Sequence, residues 1–250
     1  SANYRDAIDN LSTIASEGPL GQPAMIALSN IANENRQFSK AASILQQAIA
    51  INPEDGYLYK LLGDSHRRNT DYGNSRDAYE TAYKMGHSTS NLHRNLGVTL
   101  ERLDQTQAAE KHLKVALEMN PDDAFALNYL GYWWADQGRN LDEAIALIER
   151  AVKLQPNSGY FVDSLGWVHF RLGDAETAVR FLEQATELEP ADSEITGHLG
   201  DVYWYLGRRD EARFKWRLAI SLAETEVEKE KFRTRIKTGL PSLEIDGLPQ

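Results

Sequence analysis

The sequence predicts an all-α solenoid, a stack of antiparallel helix pairs, and three observations carry that expectation. Leu-Gly dipeptides recur at Leu62-Gly63, Leu96-Gly97, Leu130-Gly131, Leu165-Gly166 and Leu199-Gly200, at intervals of 34, 34, 35 and 34 residues. A small residue follows each glycine after twelve residues, thirteen in the longer repeat (Ser75, Ala109, Ala144, Ala178, Ala212), and seven residues later comes Ala82, Ala116, Ala151, Ala185 or Ala219. Pro121, Pro156 and Pro190 then stand five residues beyond their alanines, as Pro53 does beyond Ala48. A period of this length marks a helical hairpin that buries its apolar face only by stacking on its neighbours.

Residues 1–21 carry Ala7, Leu11, Ile14 and Pro19 at the spacing of a second helix, so they are expected to be the trailing half of a repeat cut from a longer array. Residues 22–55 supply Leu28, Ser29, Ala41, Ala48 and Pro53 in register, the first of six full units. The others are 56–89, 90–123, 124–158, 159–192 and 193–226. The extra residue of 124–158 falls at Gly138-Arg139-Asn140, a turn between helices where insertion is tolerated. Within 159–192, Val162, Leu165, Val168 and Phe170 mark the buried face of a first helix. Gly173 ends it in a left-handed conformation and Asp174 caps the second helix. Ala178, Phe181, Leu182 and Ala185 continue at steps of three and four until Pro190 forbids another turn. The glycine and alanine slots have a steric cause, because closely crossing helices leave no volume for a larger side chain. Residues 227–239 form a charged helix that gives the last unit a polar outer face. Residues 240–250 show no periodicity and are expected to be a flexible tail.

Composition narrows the function. The 250 residues hold 27 Lys+Arg against 37 Asp+Glu, a formal net charge of −10. That balance speaks against duplex nucleic acid, whose binding depends on cationic side chains neutralising phosphates. No apolar run reaches the roughly 18 residues a membrane span needs. Cysteine is absent, which excludes disulfides, thiol catalysis and Cys-based zinc sites. Six histidines are present, but none lies in an H-E-x-x-H or similar spacing. His66 and His169 fall on inward slots and His93 on an adjacent face. The carboxylates are spread over solvent faces, and no phosphate-binding or nucleophile-elbow glycine motif occurs. No cofactor, no metal and no catalysis are expected.

The pattern of Leu-Gly, the later alanines and the terminal proline resembles the tetratricopeptide repeat family over residues 22–226. Ser29 replaces its glycine, Ser75 its first alanine, and His87 and Glu224 stand where proline is usual. The resemblance implies a right-handed superhelix whose concave wall receives segments of partner proteins. The second, fifth, ninth and twelfth residues of each unit share one helix face and are assigned to that wall. It collects Tyr57, Lys60, Asp64 and Arg67, then Arg94. The later units add Phe125, Asn128 and Tyr132, then Tyr160, Asp163, Trp167 and Phe170, and finally Trp204. The first half of the groove is therefore expected to be polar, with Lys60, Arg67 and Arg94 pairing with acidic groups. The second half is expected to be aromatic, with Phe125, Tyr132, Tyr160, Trp167, Phe170 and Trp204 as anchors. A chaperone-type carboxylate clamp is not expected, because Asp64 stands where that subgroup has asparagine.

A second resemblance rests on Asp163-Ser164-Leu165-Gly166-Trp167, Ile195, His198-Leu199-Gly200-Asp201, Trp204, Gly207-Arg208 and Glu211-Ala212. This run is similar to the last repeats of large tetratricopeptide proteins of the Gram-negative bacterial envelope. It implies periplasmic residence and further residues upstream, with the cytoplasm as the alternative. The expected function is a non-catalytic scaffold that binds an extended or helical segment of another protein. Two other classes stand beside it: a homo-oligomerising structural array, and the substrate-recruiting arm of a longer enzyme.

Overall fold

A computed structural model describes residue 13 and residues 21–240. The half-repeat expected over 1–21, except Thr13 and Gly21, and the tail beyond Leu240 lie outside the described residues. The chain forms two compact units, Ser1–Pro121 and Asp122–Gln250. In the first, α1 (Gly21–Glu34) pairs with α2 (Phe38–Ile51), α3 (Gly56–Arg68) with α4 (Tyr72–Lys84), and α5 (Ser90–Glu101) with α6 (Thr106–Met119). In the second, α7 (Ala124–Asp136) pairs with α8 (Leu141–Leu154), α9 (Gly159–Arg171) with α10 (Ala175–Leu188), and α11 (Ser193–Tyr205) with α12 (Arg209–Leu222). A last helix, α13 (Glu226–Thr238), packs on α12. Among the described residues there is no strand.

The recurrent glycines sit at the crossings. A β-carbon on Gly63 would stand 2.6 Å from the Tyr79 ring, on Gly97 or Gly166 2.7 Å from Leu113 or Leu182, and on Gly131 2.7 Å from Ile148. Gly200 meets Trp216 in the same way at 2.6 Å. The slot therefore works by steric exclusion, drawing each hairpin tight. Ala41, Ala109, Ala144, Ala178 and Ala212, with the later alanines from Ala48 to Ala219, are fully buried beside these crossings.

All six hairpin turns close alike. A backbone N–H reaches the carbonyl five residues earlier, as from Gln37 to Ala32, Asp71 to His66 and Asp174 to His169. The residue before the donor is left-handed in each case: Arg36, Thr70, Asp104, Gly138, Gly173 and Gly207. This is the Schellman closure, which satisfies carbonyls that the helix end leaves free. The extra residue of the fourth repeat is accommodated by a second left-handed position, Asn140 at φ +49°. Aspartates cap two of the following helices, Asp71 accepting from Asn74 N and Asp174 from Thr177 N, and Asp123 caps the first helix α7 by accepting from Ala126 N.

Neighbouring first helices touch: α9 packs on α7 and α11, and α3 on α5, whereas neighbouring second helices make no comparable contact. Within each unit the first helices consequently form the inner side and the second helices the outer one.

Candidate functional site

In the first unit the inner face is polar and largely self-satisfied. Asp64, on α3, is its hub. It accepts from Lys60 Nζ at 2.7 Å, from the Tyr79 hydroxyl at 2.6 Å and from Asn95 Nδ2 at 2.9 Å. Burial, and then the Asp64 carboxylate, push the Tyr79 phenol far above its ordinary range, so it remains a donor. Lys60 is thus not a free cation awaiting an acidic partner, because its charge is matched one turn away. Arg67 stands beside Tyr79, and Arg94 lies against Asn95. Of the five positions assigned to the groove in this unit, Tyr57, stacked obliquely on His87, is the one more than a third exposed, at 43%.

His66 and His169 have the same kind of local partner. Each sits near the aspartate five residues on, at 3.1 Å from Asp71 and 3.7 Å from Asp174, across the hairpin turn. His93 is buried and meets His112, their Nδ1 atoms 2.8 Å apart and their rings stacked. Burial, helped by His93 and Lys111, lowers His112 to about 4, so the pair is neutral and one ring donates to the other. Among the described residues, no group of three or more acidic or histidine side chains is placed to hold a metal ion.

In the second unit the expected aromatic wall is mostly closed. Trp167 and Phe170 do not face an open groove: they are 9% and 0% exposed and belong to the core with Leu182, Leu199, Val202 and Trp216. Asp163 is also buried, and both its oxygens lie 3.0 Å from His198 Nδ1. The Trp167 indole stacks on that imidazole at 4.5 Å, and the partly exposed Tyr132 stands 6.4 Å away. Burial alone would lower His198, but Asp163, then Asp201 and Glu194, carry it above its ordinary value. Trp204 is backed by Trp216 at 5.2 Å and lies under Arg209 at 3.9 Å and Arg213 at 5.3 Å. The cause is geometric. The ninth and twelfth positions of a first helix point at the next first helix where the stack is tightest, so their exposure depends on what fills that helix.

The second position stays open. Phe125 is 57% and Tyr160 55% exposed, at equivalent places near the N-termini of α7 and α9. Phe125 rests edge-on against Phe161, with ring centroids 5.4 Å apart. Asn128, one turn on, has its Oδ1 buried without a hydrogen-bond partner among the described residues, as has the Trp167 indole N–H. Acidic groups border Tyr160. Burial, then Asp192 and Glu189, raise its phenol. The face is an aromatic edge in an acidic setting, suited to apolar side chains flanked by cations. From the sequence His198 was named only for a resemblance and Phe161 not at all, although both adjoin positions assigned to the groove.

The comparisons agree with this architecture. The tetratricopeptide repeat family matches residues 60–124, 94–159 and 164–220. A TPR repeat-containing protein of Pseudomonas aeruginosa is 31% identical over 178 residues, 69% of this chain and 30% of that protein. Anaphase-promoting complex subunit 3 of Schizosaccharomyces pombe is 24% identical over 140 residues, 56% of this chain and 21% of its own length. The chain thus spans less than a third of these curated relatives. Among solved structures, the Cut9–Hcn1 hetero-tetramer of that complex superposes with a TM-score of 0.80 at 17% identity, over 94% of this chain and 46% of the other. YrrB, described as a TPR protein with an unusual peptide-binding site, superposes with a TM-score of 0.54 at 23% identity, over 67% and 86%. At those identities the structures speak for the fold alone. With its repeats matched over the greater part of their length and its hairpins closed at the glycine and alanine slots, the chain belongs to the tetratricopeptide repeat family.

Proposed function

We propose that the chain is a non-catalytic scaffold whose second unit takes a segment of another protein on its first-helix face, with Phe125 and Tyr160 as anchors. The observation that carries this reading is the pair of rings, each more than half exposed, at the same position of neighbouring repeats. Large aromatics left in water bring contact area at little entropic cost. The acidic groups about Tyr160 favour partners in which Lys or Arg flanks the apolar residue. A relative that is a subunit of a protein complex, and a structural neighbour named for a peptide-binding site, support a role in protein association. A place in the bacterial envelope is part of the proposal, supported by the resemblance over residues 163–212, and fractionation of the producing cells tests it.

The test is selection of binders from a random-peptide display library on the intact chain. Replacing Phe125→Ser and Tyr160→Ser together is expected to weaken selected peptides about tenfold or more. The fold should survive, because both rings are largely in solvent. Unchanged affinity in the double variant would remove this face from consideration.

A further inference from the structure

The four inner positions of the last repeat, Glu194, Gly197, Asp201 and Trp204, are each met by the C-terminal helix or its cap. Lys231 Nζ donates to Glu194 Oε1 at 3.2 Å. The Phe232 ring lies over Gly197 so closely that a β-carbon has no room. Arg235 pairs with Asp201 Oδ2 at 2.9 Å, although this N–H is not aligned for a hydrogen bond. Gly239, at φ +75°, lies directly against the Trp204 indole. The occupant is a helix with a cation, an aromatic ring one residue on, an arginine three residues later and a glycine four beyond. It matches the face in charge and in volume.

That helix is held through few side chains. Phe232 is its one buried residue, with Ile236 and Leu240 partly packed on the core. Lys231 and Glu194 keep 43% and 63% of their side chains exposed, so solvent and salt screen the pair. A helix of 13 residues is marginal alone in water, so α13 depends on this face to stay folded. The face beneath is held independently. Asp201 also accepts from Trp216 Nε1 at 2.8 Å, and His198 is fixed by Asp163.

We propose that this face is a binding site for a basic amphipathic helix of another protein, and that α13 is its exchangeable intrachain occupant. The ligand would set an aromatic ring in the notch over Gly197, a cation at Glu194 and an arginine at Asp201. The inference rests on the reading that first-helix faces take protein segments, and it adds the chemistry of one ligand. A tethered occupant acts at an effective concentration on the order of mM, so only a helix that binds the open face well below that level displaces it.

The probe is a fluorescein-labelled peptide of residues 224–240, titrated into the full chain and into its Phe232→Ala/Arg235→Ala variant. A Lys231→Glu/Arg235→Glu chain replaces that variant if circular dichroism shows lost helicity. The peptide should bind the released chain at least about tenfold tighter than the wild type. Raising salt from about 0.1 M to about 0.5 M should weaken it markedly. Adding Gly197→Leu should abolish it. Equal affinity for wild-type and released chains, or binding that survives Gly197→Leu, would overturn the proposal. A wild-type chain that sediments as a dimer through exchange of α13 would do so as well, because the occupant would then be a second copy. In the released chain, Phe125→Ser/Tyr160→Ser should leave this binding intact, so the two readings fail separately.

Discussion

Thr70 holds φ at +57°, a left-handed backbone that its branched β-carbon opposes, and Arg36 and Asp104 do the same at φ +58°. The Schellman closure imposes that conformation whatever residue occupies the turn, so the local cost is carried by the hairpin. Left-handed geometry disfavours a non-glycine residue by about 1–2 kcal/mol, and glycine returns part of this as unfolded-state freedom. Thr70→Gly is therefore expected to stabilise the first unit by about 0.5–1 kcal/mol in urea denaturation, and Gly173→Thr to destabilise the second by a similar amount. The glycines at 138 and 173 revealed their turns in the sequence. The equivalent turns at 36, 70 and 104 were not legible residue by residue, because nothing in Arg, Thr or Asp announces φ above zero. Their positions followed only from the repeat period.

At the scale of the helix pair, the crossing glycines decide how close two helices come. Gly166 faces Leu182 Cγ and the Ala178 carbonyl, at 2.7 and 3.2 Å from where a β-carbon would be. Gly166→Ala is expected to cost about 1–3 kcal/mol, read by thermal unfolding, because neither a leucine branch point nor a backbone carbonyl moves freely. Helices of this kind are legible in a sequence, since Leu, Gly and Ala at fixed slots follow from contacts inside one hairpin. Exposure of the inner face is not. Whether Trp167 is open depends on His198, 31 residues away, and whether Lys60 is free depends on how Asp64 is shared with Tyr79 and Asn95. Such contacts join different helices and different repeats, and no local pattern encodes them. Phe125 and Tyr160 were legible because the second position lies at the helix start, beyond the tightest packing.

Over the whole molecule one histidine in each unit should make stability answer pH in opposite senses. In the first, the unfolded chain protonates His112 at its ordinary value of 6.5, while the folded state resists to about 4. Stability present above about pH 6.5 should therefore fall, on the order of 2 kcal/mol after screening, as pH drops toward 4. In the second, His198 has a raised folded value, so its contribution is complete below 6.5 and disappears as pH rises through that value. All five tryptophans lie in the second unit, so their fluorescence follows it alone while far-ultraviolet circular dichroism follows both. The fluorescence midpoint should decline as pH rises beyond about 6.5, and His198→Gln should flatten that limb. His112→Gln should flatten the acid limb seen by dichroism.

The central claim, that a partner segment lies on the first-helix face at Phe125 and Tyr160, is tested most directly by hydrogen–deuterium exchange. The intact chain is compared free and saturated with a selected peptide ligand. Slowed exchange in the first turns of α7 and α9, with α8 and α10 unchanged, is the predicted result. Protection confined to α8, α10 and α12 would put the partner on the outer side and contradict the claim.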